Sequence, residues 1–288
     1  MNKICEWITW IFDPLNRFYE HEKVHRKISV LLVLFFVVSL LVIELQRRSL
    51  LPEPFASMVP ANHFYAIGWA FTVILILEVI SLIFILPCSF SRSVGKQFEI
   101  LSLILMRNAF KELSHFQEPV TFAGNEDSIL YILSDGFGAV LIFSLLGVYY
   151  ILQAKHRHEH EGDHLDDLYT FVAAKKGIAL ILLGFFIGMG VRALYLTVTG
   201  IEHTDFFHDF YTLLILIDIL VVLIAQCYHP SFYSVFRNSG FALSTMIIRL
   251  ALMAPVYFNV LLGVAAIVLA ILLTVISDRL FPAKAGGH

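Results

Sequence analysis

Six charged side chains stand inside long apolar runs, and they are the residues of this sequence best placed to do chemistry: Glu78, Arg107, Asp135, Arg192, Asp218 and Arg249. An ionised group at the centre of a bilayer costs about 3 kcal/mol or more, so such residues face protein, partners or water. Depth sorts them into pairs. With a helical rise of about 1.5 Å per residue, Glu78 and Arg107 both fall about 15 Å from one membrane boundary. Asp218 and Arg249 stand in the same relation, while Asp135 and Arg192 match near the opposite boundary. Mutually neutralised pairs fix helix register; hydrated pairs would instead make a pathway for protons or ions. Ser102 and Ser244 share helices with the arginines, where a hydroxyl is expected to bond a backbone carbonyl.

Histidine is the second chemical signal. The stretch Lys155-His156-Arg157-His158-Glu159-His160-Glu161-Gly162-Asp163-His164 mixes imidazoles with carboxylates, a donor set suited to Zn²⁺ or Ni²⁺. In a flexible loop it binds such ions weakly, because ordering entropy opposes binding; its plainer reading is a solvated, pH-responsive connector. His203 and His208 form a smaller polar group at a helix entrance, beside Glu202, Asp205 and Asp209. Haem ligation between helices needs histidines well inside the spans, and none lies there. Cys5, Cys88 and Cys227 are scattered and define neither a disulfide framework nor a metal site.

These groups must be positioned by membrane helices. The chain is 58% hydrophobic and 15% charged, against about 45–50% and about 25% in soluble domains. A net charge of −3 argues against a nucleic-acid partner. A span needs roughly 20 apolar residues, and 28–45, 65–87, 129–152, 177–199, 207–228 and 256–277 qualify. Two further stretches, 97–114 and 239–254, each carry an internal arginine. If both cross, one side receives Lys3, Arg17, Lys23, Arg26, Lys27, Arg92, Lys96, Lys155, Arg157, Lys175, Lys176, Arg237, Arg279 and Lys284. The other receives only Arg47, Arg48 and Lys111. The positive-inside rule therefore favours eight spans with both termini in the cytoplasm. Aromatic residues among charges in 1–26, including Trp7 and Trp10, suit an interfacial helix.

The polar landmarks also repeat. His63 leads through Thr72 to Glu78, and His203 leads at the same spacing through Thr212 to Asp218. Ser89-Phe90, Leu101-Ser102 and Arg107-Asn108-Ala109 are matched by Ser231-Phe232, Leu243-Ser244 and Arg249-Leu250-Ala251. Lys27 precedes Phe35-Phe36 as Lys176 precedes Phe185-Phe186. The expected organisation is an interfacial segment (1–26), a first four-helix repeat (27–152), a His/acid-rich cytoplasmic linker (153–176), a second repeat (177–279) and a tail (280–288). An even number of spans per copy makes the repeats parallel.

Asp218, the link Tyr228-His229-Pro230-Ser231-Phe232, and Ser244 to Arg249-Leu250 resemble the phosphate-starvation-inducible PsiE family. The resemblance covers about residues 205–277 and more weakly 63–152. It implies a four-helix membrane unit with an acid in its second helix and an arginine in its third. The duplication and the histidine-rich linker depart from that pattern.

No phosphate loop, Ser/His/Asp order or carboxylate dyad with a cleft is present. The expected protein is therefore a non-enzymatic, all-α inner-membrane bundle without a cofactor, beyond weak Zn²⁺ at the linker. It would associate with itself or with membrane partners. A proton or ion channel using Glu78, Asp218, Arg107 and Arg249 is the alternative, and a divalent-metal transporter with a sensing linker the third reading. Reporter fusions check the topology: a fusion at residue 120 should report the outer compartment, and fusions at 165 and the C-terminus the cytoplasm. A cytoplasmic signal at 120 would remove the span that follows Pro87.

Overall fold

The computed structural model describes residues 2–50, 59–60, 62–116, 124–156, 165–199, 206–228 and 231–280, with Pro52 and Phe122. Helices dominate them: α1 (Asn2–Glu20), α2 (Glu22–Arg47), α3 (Tyr65–Ile85), α4 (Phe90–Lys111), α5 (Glu126–His156), α6 (Leu165–Thr199), α7 (Phe206–Tyr228), α8 (Phe232–Met253) and α9 (Phe258–Leu280). A 3-10 turn, Glu112–His115, follows α4. Six of the helices are long and apolar enough to cross a membrane: α2, α3, α5, α6, α7 and α9. In lipid every backbone group must be satisfied within its own segment, which an uninterrupted helix achieves.

The two ambiguous stretches became α4 and α8, each of 22 residues. That is about 33 Å of helix, yet neither has the apolarity of its neighbours. The reason is their position. They pack on each other, α4 also packs on α5, and α8 on α7 and α9. Their polar side chains Gln97, Ser102, Ser244, Thr245 and Arg249 are all buried against protein. A helix that faces other helices instead of lipid need not be oily around its whole circumference.

Two cores result, and each draws on both halves of the chain. One gathers Phe12, Leu82, Ile83, Leu182, Phe210 and Leu214 from α1, α3, α6 and α7. The other gathers Phe98, Leu101, Leu146, Phe241, Ile248 and Ala270 from α4, α5, α8 and α9. α2 stays at the periphery against α3 and exposes Val30, Leu31, Val33, Leu34 and Leu41. α1 lies on α6, with Phe12 buried and Trp7 and Trp10 outward. Asp13 pairs with Lys176 at 2.6 Å, and the Tyr19 hydroxyl donates to the Leu77 carbonyl at 2.8 Å. The histidine linker is shorter than the expected 153–176, since α5 runs to His156 and α6 begins at Leu165.

Glycine sets the closest approach, between α5 and α9. A Cβ added at Gly138 would run into both methyls of Val260, and one at Gly263 would lie 2.7 Å from Ile142 Cδ1. Nothing lies within 4 Å of a Cβ built on Gly136, two residues away. Gly138→Val should therefore lower stability by about 1–3 kcal/mol through overpacking. Gly136→Ala should leave it unchanged or raise it slightly. Thermal melting in micelles compares the two, and equal effects would mean that α5 and α9 do not meet there.

Candidate functional site

Glu78 is carried on α3 and Arg107 on α4, and the structure brings them together as an ion pair. Asp218 on α7 faces Arg249 on α8, with Nε 3.6 Å from Oδ2. Each acid is thus neutralised by the helix that follows it in the chain. Arg249 is the largest fully buried side chain, 1% exposed, and Glu78 is 8% exposed. Removing one member of such a pair strands an uncompensated charge. Ser102 donates to the Glu99 carbonyl of its own helix at 2.8 Å, and Ser244 to the Ala266 carbonyl of α9 at 2.9 Å.

The surroundings of the two pairs differ sharply. Glu78 and Arg107 line a cavity of about 820 Å³ bounded by α1, α2, α3, α4 and α6. Asp218 and Arg249 border only about 20 Å³, roughly room for one water molecule. Around the large cavity Lys96 pairs with Glu99 at 2.7 Å, and Glu99 also accepts from the Tyr150 hydroxyl at 2.6 Å. Tyr19 stacks on Phe84 with ring centroids 4.9 Å apart, and burial holds its phenol above the ordinary range. On the cavity wall the buried oxygens Glu78 Oε1 and Asn16 Oδ1 have no hydrogen-bond partner, while Glu78 Oε2 faces Arg107 in the ion pair.

Asp135 and Arg192, matched by depth, are placed apart. α5 packs on α4 and α9, whereas α6 packs on α1, α3 and α7. Asp135 instead accepts a hydrogen bond from Asn259 of α9 at 2.8 Å. Arg192 is exposed on α6, beside a shallow groove lined by Ile181, Gly184, Phe185, Gly188 and Met189. Depth is one coordinate, and the direction around the helix axis decides the partner.

Lys175, assigned above to a cytoplasmic loop, is only 2% exposed. Its Nζ donates to the Cys88 carbonyl at 2.6 Å and lies 4.7 Å from the Phe90 ring centre and 4.9 Å from that of Phe171. Cys88 lies just past the end of α3, where the helix dipole favours a cation. The neighbouring Lys176 was a weak hint, since two adjacent lysines on a helix point to different sides.

His158, His160, His164 and His203 lie outside the described residues, as do the tail beyond residue 280 and the linker between α5 and α6. His156 closes α5, and His208 is exposed in the first turn of α7. Among the described residues no three His, Cys, Asp or Glu side chains cluster as metal ligands do. Comparison with known proteins finds no matching family model, curated protein or solved structure.

The tight surroundings of Arg249 give a measurable expectation. Arg249→Ala should cost about 3–5 kcal/mol by leaving Asp218 buried alone, unless the acid takes up a proton. Asp218→Asn combined with Arg249→Gln should recover most of that, since both charges leave together. Melting temperatures of wild type, both single variants and the double variant complete the cycle; additive effects would show that the two side chains do not interact.

Proposed function

We propose that this chain is a non-enzymatic membrane bundle, a tandem PsiE-like duplication of eight parallel-repeat spans that works as a subunit of a larger membrane assembly. The observation that carries the reading is the close packing around Asp218 and Arg249, two charges that border a space of only about 20 Å³. A pair closed in this way holds α7 to α8 and offers no continuous hydrated route. The duplication is supported by the order of elements, with α2–α5 and α6–α9 in the same sequence. It is supported too by the placement of both acid–arginine pairs between the second and third helices of each set. The spans assigned to α4 and α8 draw support from their 22-residue lengths and their buried polar faces. Inner-membrane placement with cytoplasmic termini follows from the Lys/Arg asymmetry.

Assembly is favoured by Arg192. An arginine at membrane depth on an exposed helix face needs a polar or acidic partner. The spacing of Gly184 and Gly188 on that face lets a second helix approach closely.

A conduit would need water to reach both charge pairs, and only Glu78–Arg107 adjoins a sizeable cavity. Proteoliposomes decide between scaffold and conduit. The wild-type chain should pass protons and monovalent ions no faster than protein-free vesicles, at any pH or potential applied. Flux through wild type that disappears in a stably folded Asp218→Asn/Arg249→Gln variant would overturn the scaffold reading.

A further inference from the structure

We propose that the open cavity lined by α1, α2, α3, α4 and α6 is a binding site for a hydrophobic organic cation bearing N–H donors, whose charged end reaches Glu78 and Asn16. The inference stands whether the bundle is a scaffold or a conduit. It starts from size and shape. About 820 Å³ lies within the range of about 300–1,000 Å³ typical of small-molecule sites. The walls are mostly apolar, from Ile28 and Leu32 on α2, Leu77 on α3, and Ile100 and Leu103 on α4. Such walls with a few convergent polar groups are the usual form of a ligand site.

The charge balance on the wall selects the ligand. Three of its cations are already engaged by acids of the same wall: Lys96 by Glu99, Lys176 by Asp13 and Arg107 by Glu78. His25 sits edge-on against Tyr19, with ring centroids 5.5 Å apart. Glu20 adds a further carboxylate at the rim. Of the buried wall atoms without a hydrogen bond, Arg107 Nη1 and Glu78 Oε2 face each other in the ion pair, which leaves two acceptors, Glu78 Oε1 and Asn16 Oδ1. Glu78 is more than nine-tenths buried, so its unfilled oxygen carries a desolvation penalty that a donor entering the cavity would relieve. An anionic ligand would meet committed cations and free acceptors. A cation with N–H groups meets the reverse, beside an aromatic group of Phe12, Tyr19 and Phe84 on the same wall. The corresponding pair in the second half, with about 20 Å³ beside it, has no room for a ligand.

The test uses the full chain in lipid nanodiscs titrated with ethidium, an aromatic cation with amino donors, followed by fluorescence anisotropy against empty nanodiscs. Saturable binding at one site per chain is expected. Leu103→Trp, which fills the cavity, and Asn16→Leu, which removes an acceptor, should each weaken it by about tenfold or more. Glu78→Gln should do the same. Because that change strands Arg107, the other two variants keep the proposal testable if it fails to fold. Anilinonaphthalene sulfonate, an aromatic anion, should not displace ethidium. Absence of saturable binding would mean the cavity holds only water or lipid tails. That result, unchanged affinity in folded Leu103→Trp, or displacement by the anion at equal concentration would each overturn the assignment.

Discussion

A charge inside an apolar bundle has to find its counter-charge, and this requirement organises the whole molecule. Glu78 and Asp218 lie on helices that carry no cation of their own, and each is paired with a guanidinium from an adjacent helix. That need fixes α4 beside α3 and α8 beside α7, at a register where the acid and arginine meet. It also decides what kind of helix α4 and α8 can be. Carrying arginines, they are driven to the interior, where they pack on each other and let α5 and α9 cross beside them. Several other polar residues of α4 and α8 then find partners within the protein, as Ser244 does at the Ala266 carbonyl.

The same constraint, applied twice, gives two different outcomes. In the second half the pair is walled in, and Arg249 is almost wholly removed from any surface. In the first half α1 folds against α6 and α2 stands off to one side, leaving a space over Glu78 and Arg107. The difference lies in what covers the pairs: Glu78 and Arg107 border about 820 Å³, Asp218 and Arg249 about 20 Å³.

Much of this was legible in the residues. Runs of about 20 apolar side chains marked six helices directly, and equal depth with opposite charge matched Glu78 to Arg107 and Asp218 to Arg249. That worked because sequential helices joined by short links are neighbours, which leaves depth as the only unknown. The same logic failed for Asp135 and Arg192, whose helices are consecutive but joined through the histidine linker and packed in different parts of the bundle. Asn259 was overlooked as the partner of Asp135 because an amide at the start of an apolar run reads as a helix entrance. Lys175 was misread for a related reason, since a lysine near a helix end normally reaches water. The cavity had no sequence signal, because empty space is set by five helices at once.

The bond from Lys175 to the Cys88 carbonyl joins residues 87 positions apart. A ribosome adding about 5–20 residues per second needs about 4–17 s to cover that distance. Throughout that interval α3 has already been made while the cation that finishes its end has not. The helices before α6 already share the Glu78–Arg107 pair, the Tyr19–Leu77 hydrogen bond and the packing of α4 on α5, and α6 adds the Lys175 bond when it is made. One bond at the end of α3 therefore waits for a residue made much later in the chain.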